Sequence, residues 1–206
     1  MESETKIDFT SRLVLPAEAQ DLLFREARTP NSFTEEPVDD EHLEAIYELF
    51  RFAPTSRNQQ PLRILVVRSD GARARLLPHM QGRNREKTAT APLIVVLAAD
   101  LNFHEQMHKV FPHVPNARDV YADRVLREDS ARFNATVQIG YFILAVRAAG
   151  LAAGPMIGFD AAGVDREFFA DGRHASLVVV NIGRPGPNAW FARLPRLSYD
   201  EVTTVV

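Results

Sequence analysis

Apolar and polar residues along this chain of 206 residues recur with two different spacings, and each spacing predicts a different kind of element. From Leu43 to Phe50, apolar residues fall at i, i+3, i+4 and i+7, which is the spacing of one helix face. Asp39 or Asp40 is suited to cap the start of this helix, and Pro54 is expected to end it. The segment before Pro54 is therefore predicted to be an amphipathic helix.

Continuous apolar runs predict buried strands at residues 62–68, 92–99 and 176–183. Further helices are predicted at residues 17–28, 70–77, 119–149 and 160–170. The helix over 119–149 is apolar on nearly all sides from Phe133 onward, as expected for burial against a sheet or a second subunit. Because helices separate the strands, we predict an α+β (α/β-type) chain with a few-stranded central sheet. One domain is predicted over residues 17–206, preceded by an arm over residues 1–16.

Composition excludes several classes of function. Hydrophobic residues make up 46% and charged residues 25% of the chain, the net charge is -3, and Lys and Arg are scattered, so no nucleic-acid surface is expected. The longest apolar run, residues 92–99, is far shorter than the roughly 18 residues of a membrane helix, so no membrane role is expected. The N-terminus has no signal-peptide pattern, which predicts a cytoplasmic protein. The absence of cysteine excludes thiolate ligands and cysteine nucleophiles.

Residues 104–108 read HEQMH, the spacing with which zinc hydrolases hold a metal between two histidines. His104 and His108 would be the ligands, Glu105 would act on water, and Glu128 is the best-placed third ligand. The flanking prolines indicate a short, interrupted helix, whereas a zinc site of this type needs a long one and a third ligand. We therefore predict no metal, and keep zinc hydrolysis as an alternative.

Three separated stretches give a stronger indication of a ligand-binding site. Residues 51–67, RFAPTSRNQQPLRILVV, place a polar loop between a helix and a buried strand, and such a loop offers donors and acceptors to a ring-shaped ligand. Residues 153–169, AGPMIGFDAAGVDREFF, contain a nearly apolar turn in which Gly158 allows close approach of a flat ligand. Residues 191–202, FARLPRLSYDEV, contain Arg193 and Arg196, and guanidinium groups are natural partners of a phosphate.

Together these stretches resemble the nitroreductase family of flavin enzymes, over residues from about Phe24 to Val202. APTSRNQQP resembles that family's loop, GPMIGFD its flavin-facing turn and FARLPRL its C-terminal phosphate-binding segment. Stretches such as ARTPNSF and KTATAP are similar to the branch that includes malonic semialdehyde reductases. The resemblance implies a mostly antiparallel sheet flanked by helices, and a homodimer with FMN at its interface that cycles with NADH or NADPH.

The resemblance also implies roles for individual residues. Arg28 and Arg193 would clamp the phosphate, and the Ser56 loop would reach the flavin of the partner subunit. Lys87 would favour negative charge near N1 and O2 of the reduced ring, and the backbone of Ile157 and Gly158 would face N5, so these three are the predicted catalytic residues. The full set of predicted cofactor-binding residues is Arg28, Pro54, Thr55, Ser56, Asn58, Gln60, Asn84, Lys87, Pro155, Met156, Ile157, Gly158 and Arg193.

Many relatives carry a basic residue where this chain has Asn31, and a glutamate where it has Ile157. The first difference predicts fewer phosphate contacts from the N-terminal segment. The second is expected to matter little, because the contact there is made by the backbone.

The implied reaction is ping-pong hydride transfer through flavin N5 to an electron-poor acceptor: malonic semialdehyde or another aldehyde, a nitro compound or a quinone. HEQMH lies in a segment that is variable in the family and that would cover the open face of the flavin. His104 and His108 are therefore candidates to contact substrate. A non-catalytic flavin-binding protein of the same fold remains a further alternative.

Overall fold

The computed structural model describes residues 12–206, so most of the predicted arm lies outside the described part. Its centre is a four-stranded sheet in the order β1-β2-β4-β3, in which every neighbouring pair is antiparallel. The strands are β1 (Leu62–Val67), β2 (Leu93–Asp100), β3 (Ala152–Met156) and β4 (His174–Gly183). The prediction of an α+β chain with a mostly antiparallel, few-stranded sheet is confirmed.

β3 corrects one sequence prediction, because its residues were interpreted as a tight turn. Pro155 and Gly158 were expected to bracket that turn, yet Pro155 lies within the strand and pairs with Val180 of β4. β3 is an edge strand. An edge tolerates proline, because the missing N–H costs no hydrogen bond to a further strand.

Eight α-helices surround the sheet within residues 12–206. They are α1 (Ala17–Gln20), α2 (Asp40–Phe50), α3 (Asp70–Leu76), α4 (Arg83–Thr90), α5 (Met107–Val110), α6 (Arg124–Ala148), α7 (Ala161–Phe168) and α8 (Tyr199–Val202). Short 3₁₀ turns cover Ser56–Asn58, Leu77–His79, Phe103–Gln106 and Asp119–Tyr121.

The helix boundaries follow the side chains that cap them. Asp39, rather than Asp40, caps α2 by accepting a hydrogen bond of 2.8 Å from the backbone N–H of His42, and Asp160 caps α7 as expected. Two predicted boundaries are wrong. The helix predicted over 17–28 becomes a π-helical turn at Asp21–Arg25, and α6 begins only after Asp123, whose carboxylate caps it.

The core has two layers, one on each face of the sheet. All eight residues of β2 are buried. α2 and α6 pack on one face, while Leu76, Met80, Phe159 and Val164 form the layer on the other. Only one side of α6 is buried: Phe133 is 71% exposed, so the apolar outer side of this helix has no covering element within the described residues. No helix in residues 12–206 is both long enough and apolar enough to span a membrane.

Candidate functional site

A cavity of about 270 Å³ lies between the chain segment that follows the π-helical turn and residues 190–196, here called the C-terminal arm. Four arginines line it, together with Asn31 and Phe191; they are Arg28, Arg147, Arg193 and Arg196. The structure therefore brings together Arg28 and Arg193, the two residues that the sequence assigned to one phosphate site from opposite ends of the chain.

Hydrogen bonds to backbone carbonyls hold the two walls of this cavity together. The N–H and the side-chain amide of Asn31 both donate to the carbonyl of Ala189, at 2.9 and 3.2 Å. Arg28 donates to the carbonyl of Phe191 at 3.4 Å, and Arg193 donates to the carbonyl of Arg25 in the π-helical turn. The N-terminal segment and the arm are thus joined at several points, which fixes the spacing of the guanidinium groups.

The cavity carries uncompensated positive charge. Among residues 12–206, none of the four arginines forms an ion pair with a carboxylate. Arg147 is partly buried, and burial lowers the pKa of its guanidinium. Grouped cations without carboxylate partners indicate a site for an anion, because an anion would relieve both the repulsion and the loss of hydration.

A second cavity, of about 220 Å³, adjoins the first and shares Asn31 and Phe191 with it. Lys87 of α4 lines this cavity. Asn84, one helical turn earlier, donates from its amide to the carbonyl of Gly158 at 3.1 Å, and the backbone N–H of Gln81 donates to the same carbonyl at 3.1 Å. The turn after β3 is thereby fixed against the start of α4.

The side chain of Asn84 packs closely against Gly158 at this turn. A Cβ atom at this position would lie 2.6 Å from Nδ2 of Asn84, which is closer than real contacts allow. The neighbouring Ile157 side chain is 80% exposed. The turn is therefore open to solvent, and the absence of a side chain at Gly158 would let a flat ligand approach its backbone closely.

The loop APTSRNQQP, residues 53–61, is held by hydrogen bonds to residues outside the two cavities. The backbone N–H of Ser56 donates to the side chain of Asn134 at 2.7 Å, and Asn58 donates to the carbonyl of Val110 at 2.7 Å. The five predicted ligands from this loop, Pro54, Thr55, Ser56, Asn58 and Gln60, line neither cavity described above. Gln60 instead lines a third cavity, of about 330 Å³.

This loop contains an unusual backbone. Arg57, Asn58 and Gln60 have φ values of 50°, 52° and 46°, in the left-handed region that side chains disfavour. Such conformations persist only where the surroundings impose them, and they cluster at functional sites. The bonds that the loop donates to Asn134 and Val110, together with a 2.8 Å bond from Arg63 to the carbonyl of Gln60, supply that constraint.

The HEQMH segment forms a 3₁₀ turn followed by the single-turn helix α5. Glu105 pairs with Arg173 at 2.9 Å, and Glu128 pairs with Arg124 at 2.6 Å, so both carboxylates of the zinc alternative have structural partners. Across residues 12–206, no group of three or more His, Asp or Glu side chains is arranged to hold a metal ion.

The two histidines of this segment have different surroundings. His104 is partly buried, its Nδ1 has no hydrogen-bond partner in the described part of the chain, and burial is the main cause that lowers its pKa, followed by the charges of Arg127 and Arg118. His108 is exposed, and its Nδ1 lies 2.9 Å from the carbonyl oxygen of Glu105. Contact with substrate stays a prediction for both.

Sequence reasoning missed Arg147 as a member of the cationic cavity. It lies in the last turn of α6, where an arginine also suits the negative end of a helix dipole, so its type and position alone carry no signal.

Comparison with known proteins found both a matching family and similar sequences. The sequence model of the nitroreductase family matches residues 24–184. A Streptomyces griseus protein with the name "Putative NADH dehydrogenase/NAD(P)H nitroreductase" is 58% identical over 195 residues, which cover 94% of this chain and 99% of the relative.

Two crystal structures of proteins described as a "putative nitroreductase" share the fold. The one from Bacillus subtilis has a TM-score of 0.81 at 22% identity and covers 92% of this chain and 99% of its own. The one from Exiguobacterium sibiricum, determined in complex with FMN, has a TM-score of 0.79 at 17% identity and covers the whole of both chains.

Proposed function

Because this chain belongs to the nitroreductase family, we propose that it is an FMN-dependent NAD(P)H oxidoreductase that reduces a small electron-poor acceptor. The observation that carries the proposal is the convergence of Arg28, Arg193 and Lys87, three residues far apart in sequence, on two adjoining cavities. The names of the curated relatives include NAD(P)H, and the structure from E. sibiricum contains FMN. Both names support the same assignment for this chain.

The cationic cavity fits the phosphate of FMN. A phosphate monoester carries about -1.5 to -2 charges near neutral pH and offers three acceptor oxygens. Guanidinium groups bind such a group through paired, charge-assisted hydrogen bonds. Arg28 and Arg193 are the residues we assign to it, and the absence of carboxylate partners for them within residues 12–206 leaves their donors available.

The adjoining face fits the ring system. Lys87 would place a positive charge beside the pyrimidine edge, and Asn84 holds the turn at Ile157 and Gly158 against α4. Pro155 and Met156 lead into this turn from the end of β3. When bound, FMN would accept hydride from NADH or NADPH and pass it to the acceptor. The residues of the chain position the ring and set its electrostatic surroundings.

A second copy of the chain would complete the site. The loop from Pro54 to Gln60 lines neither cavity of its own chain, so its predicted contacts with flavin are best explained if it serves the partner subunit. Exposed apolar side chains lie next to this loop: Phe52 is 77% exposed, and Phe133 projects from the neighbouring helix α6. Exposed aromatic groups of this kind favour association. We therefore propose a homodimer with FMN between its subunits.

The classes of acceptor that the resemblance implies are malonic semialdehyde or another aldehyde, a nitro compound and a quinone. His104 and His108 lie on the segment whose helix α5 accepts the hydrogen bond from Asn58. This link places the segment beside the loop that we assign to the partner's flavin. The two histidines are therefore the candidates for acceptor contact in the dimer.

The test is spectroscopic. The purified protein, reconstituted with FMN, should show flavin absorbance that bleaches on anaerobic addition of NADH or NADPH and recovers on addition of an acceptor. Steady-state rates over a panel of aldehydes, nitro compounds and quinones would then identify the acceptor class. Failure to bind FMN at all would refute the proposal, while bound FMN that neither nucleotide reduces would favour a non-catalytic flavin-binding protein.

A further inference from the structure

Arg147 lies outside the short motifs that were used to predict the flavin site, yet its side chain lines the cavity of Arg28 and Arg193. We infer that Arg147 is a further binding residue for the phosphate group of the flavin, supplied by the end of α6 and without a carboxylate partner among residues 12–206. The inference rests on the proposed function, since it names a residue of the same site.

The contacts of Arg147 leave most of its donors unused. Nη1 donates to the carbonyl of Leu23, at 3.3 Å, which is a long bond. Its Nε atom is buried and has no hydrogen-bond partner in the described residues. A guanidinium has five N–H donors, and a buried donor without an acceptor costs free energy. A ligand with several acceptor oxygens would satisfy this group.

Charge points to the same ligand. Arg147 lies between two cavities, because it also lines a smaller one of about 170 Å³ together with Arg28. Glu26 lines this smaller cavity too, but forms no ion pair with either arginine. The remaining groups that face Arg147 across the larger cavity are the cations of Arg193 and Arg196. An anion is therefore the matching occupant.

A purely structural role for Arg147, as a cation at the end of a helix, is less well supported. The end of α6 is already closed by backbone bonds, from Ala149 to the carbonyl of Ala145 and from Gly150 to the carbonyl of Arg147 itself. The side chain leaves α6 and reaches the carbonyl of Leu23 in the π-helical turn. It therefore stabilises neither its own helix end nor an ion pair, and the free protein bears the cost of its burial.

This arrangement predicts opposite effects of one substitution on binding and on stability. Arg147→Met keeps the length of the apolar stem and removes the partly buried charge. The flavin-free protein should melt no lower than wild type, because the desolvation cost that is removed offsets the loss of the long hydrogen bond to the carbonyl of Leu23. FMN affinity should fall at least about tenfold, as expected for loss of a charge-assisted hydrogen bond.

The experiment compares FMN with riboflavin, which lacks the phosphate. Dissociation constants of both flavins are measured by quenching of flavin fluorescence on the full-length chain, and melting temperatures are measured without flavin. The variants are Arg147→Met, Arg147→Lys and, as a matched control, Arg124→Met at the opposite end of the same helix, where the side chain is exposed and pairs with Glu128. Arg147→Lys should bind FMN with intermediate affinity, because it keeps the charge but not the planar fork.

The inference is supported if Arg147→Met weakens FMN but not riboflavin, and Arg124→Met changes neither. It is overturned if the preference of Arg147→Met for FMN over riboflavin equals that of wild type. It is also overturned if the variant melts several degrees lower while binding both flavins equally less well, since that result would assign Arg147 a structural role. Wild-type protein that binds neither flavin would instead refute the proposed function itself.

Discussion

Arg63 of β1 donates a hydrogen bond of 2.8 Å from Nη2 to Oδ2 of Asp100, the last residue of β2. The Asp100 side chain is only 2% exposed, and Arg173 binds its other oxygen at 3.1 Å. Arg63 uses its second nitrogen to donate to the carbonyl of Gln60, and the N–H of Asp100 donates to the carbonyl of Pro61. One buried carboxylate thus connects the end of the sheet to the strained APTSRNQQP loop.

Asp100→Asn should lower the free energy of unfolding by about 2–3 kcal/mol, because it removes the charge that two guanidinium groups share in a buried position. Denaturant titration measures this change. Asp40→Asn is the matched control: Asp40 pairs with Arg68 at the surface, so its loss should cost less than about 1 kcal/mol. Equal losses in both variants would contradict the buried network.

Arg57 should accept glycine better than any branched residue. Its φ of 50° is left-handed, which costs a non-glycine residue roughly 1–2 kcal/mol. Arg57→Gly relieves this strain, but glycine also loses more conformational entropy on folding. The free energy of unfolding should therefore stay unchanged or rise slightly. Arg57→Val should lower it by about 1–2 kcal/mol. Thermal unfolding of the two variants checks the order, and a Val variant as stable as the Gly variant would speak against strain in this loop.

Gly158→Ala should weaken FMN binding with only a small effect on folding. The new Cβ would lie 2.6 Å from Nδ2 of Asn84, and that side chain can swing away at the cost of its bond to the Gly158 carbonyl. Asn84→Ala loses the same bond, so the double variant should bind FMN about as well as either single one. Fluorescence titration of the three variants provides this double-mutant cycle. Additive losses would show that the two residues act separately.

His104 should make stability depend on pH. Burial lowers the pKa of its imidazole below the ordinary value of 6.5, so the folded state favours the neutral form. The unfolded chain then binds more protons, and stability present above pH 6.5 is lost as the pH falls toward the folded pKa. His104→Gln should reduce the difference in unfolding free energy between pH 7.5 and 5.5, measured by denaturant titration.

His108→Gln is the control for this measurement, because that imidazole is exposed on the same segment. If His104→Gln retains the full difference in unfolding free energy between pH 7.5 and 5.5, burial of His104 is not the cause of that difference.

Local signals predicted the parts of the fold that depend on few residues. Asp39 and Asp160 cap helices as expected, because a cap needs only a carboxylate beside the free N–H groups of the first turn. β2 and β4 were predicted as buried strands, since central strands are continuously apolar. β3 was missed because proline, here Pro155, argues against a strand unless that strand lies at a sheet edge, and position in a sheet depends on residues distant in the sequence.

In the candidate site, too, some features depend on local sequence and others on long-range packing. The sequence by itself determined which residues are suited to a ligand, through motifs whose chemistry is local: arginines suit a phosphate, a glycine turn suits a flat ring, and a polar loop offers donors and acceptors. Only the tertiary structure decided which of these residues meet. It brought Arg28 to Arg193, added Arg147 from the end of α6, held the Ser56 loop apart, and paired Glu105 of HEQMH with Arg173. Long-range packing sets the distances between charges, and those distances decide which groups bind one ligand and which neutralise each other.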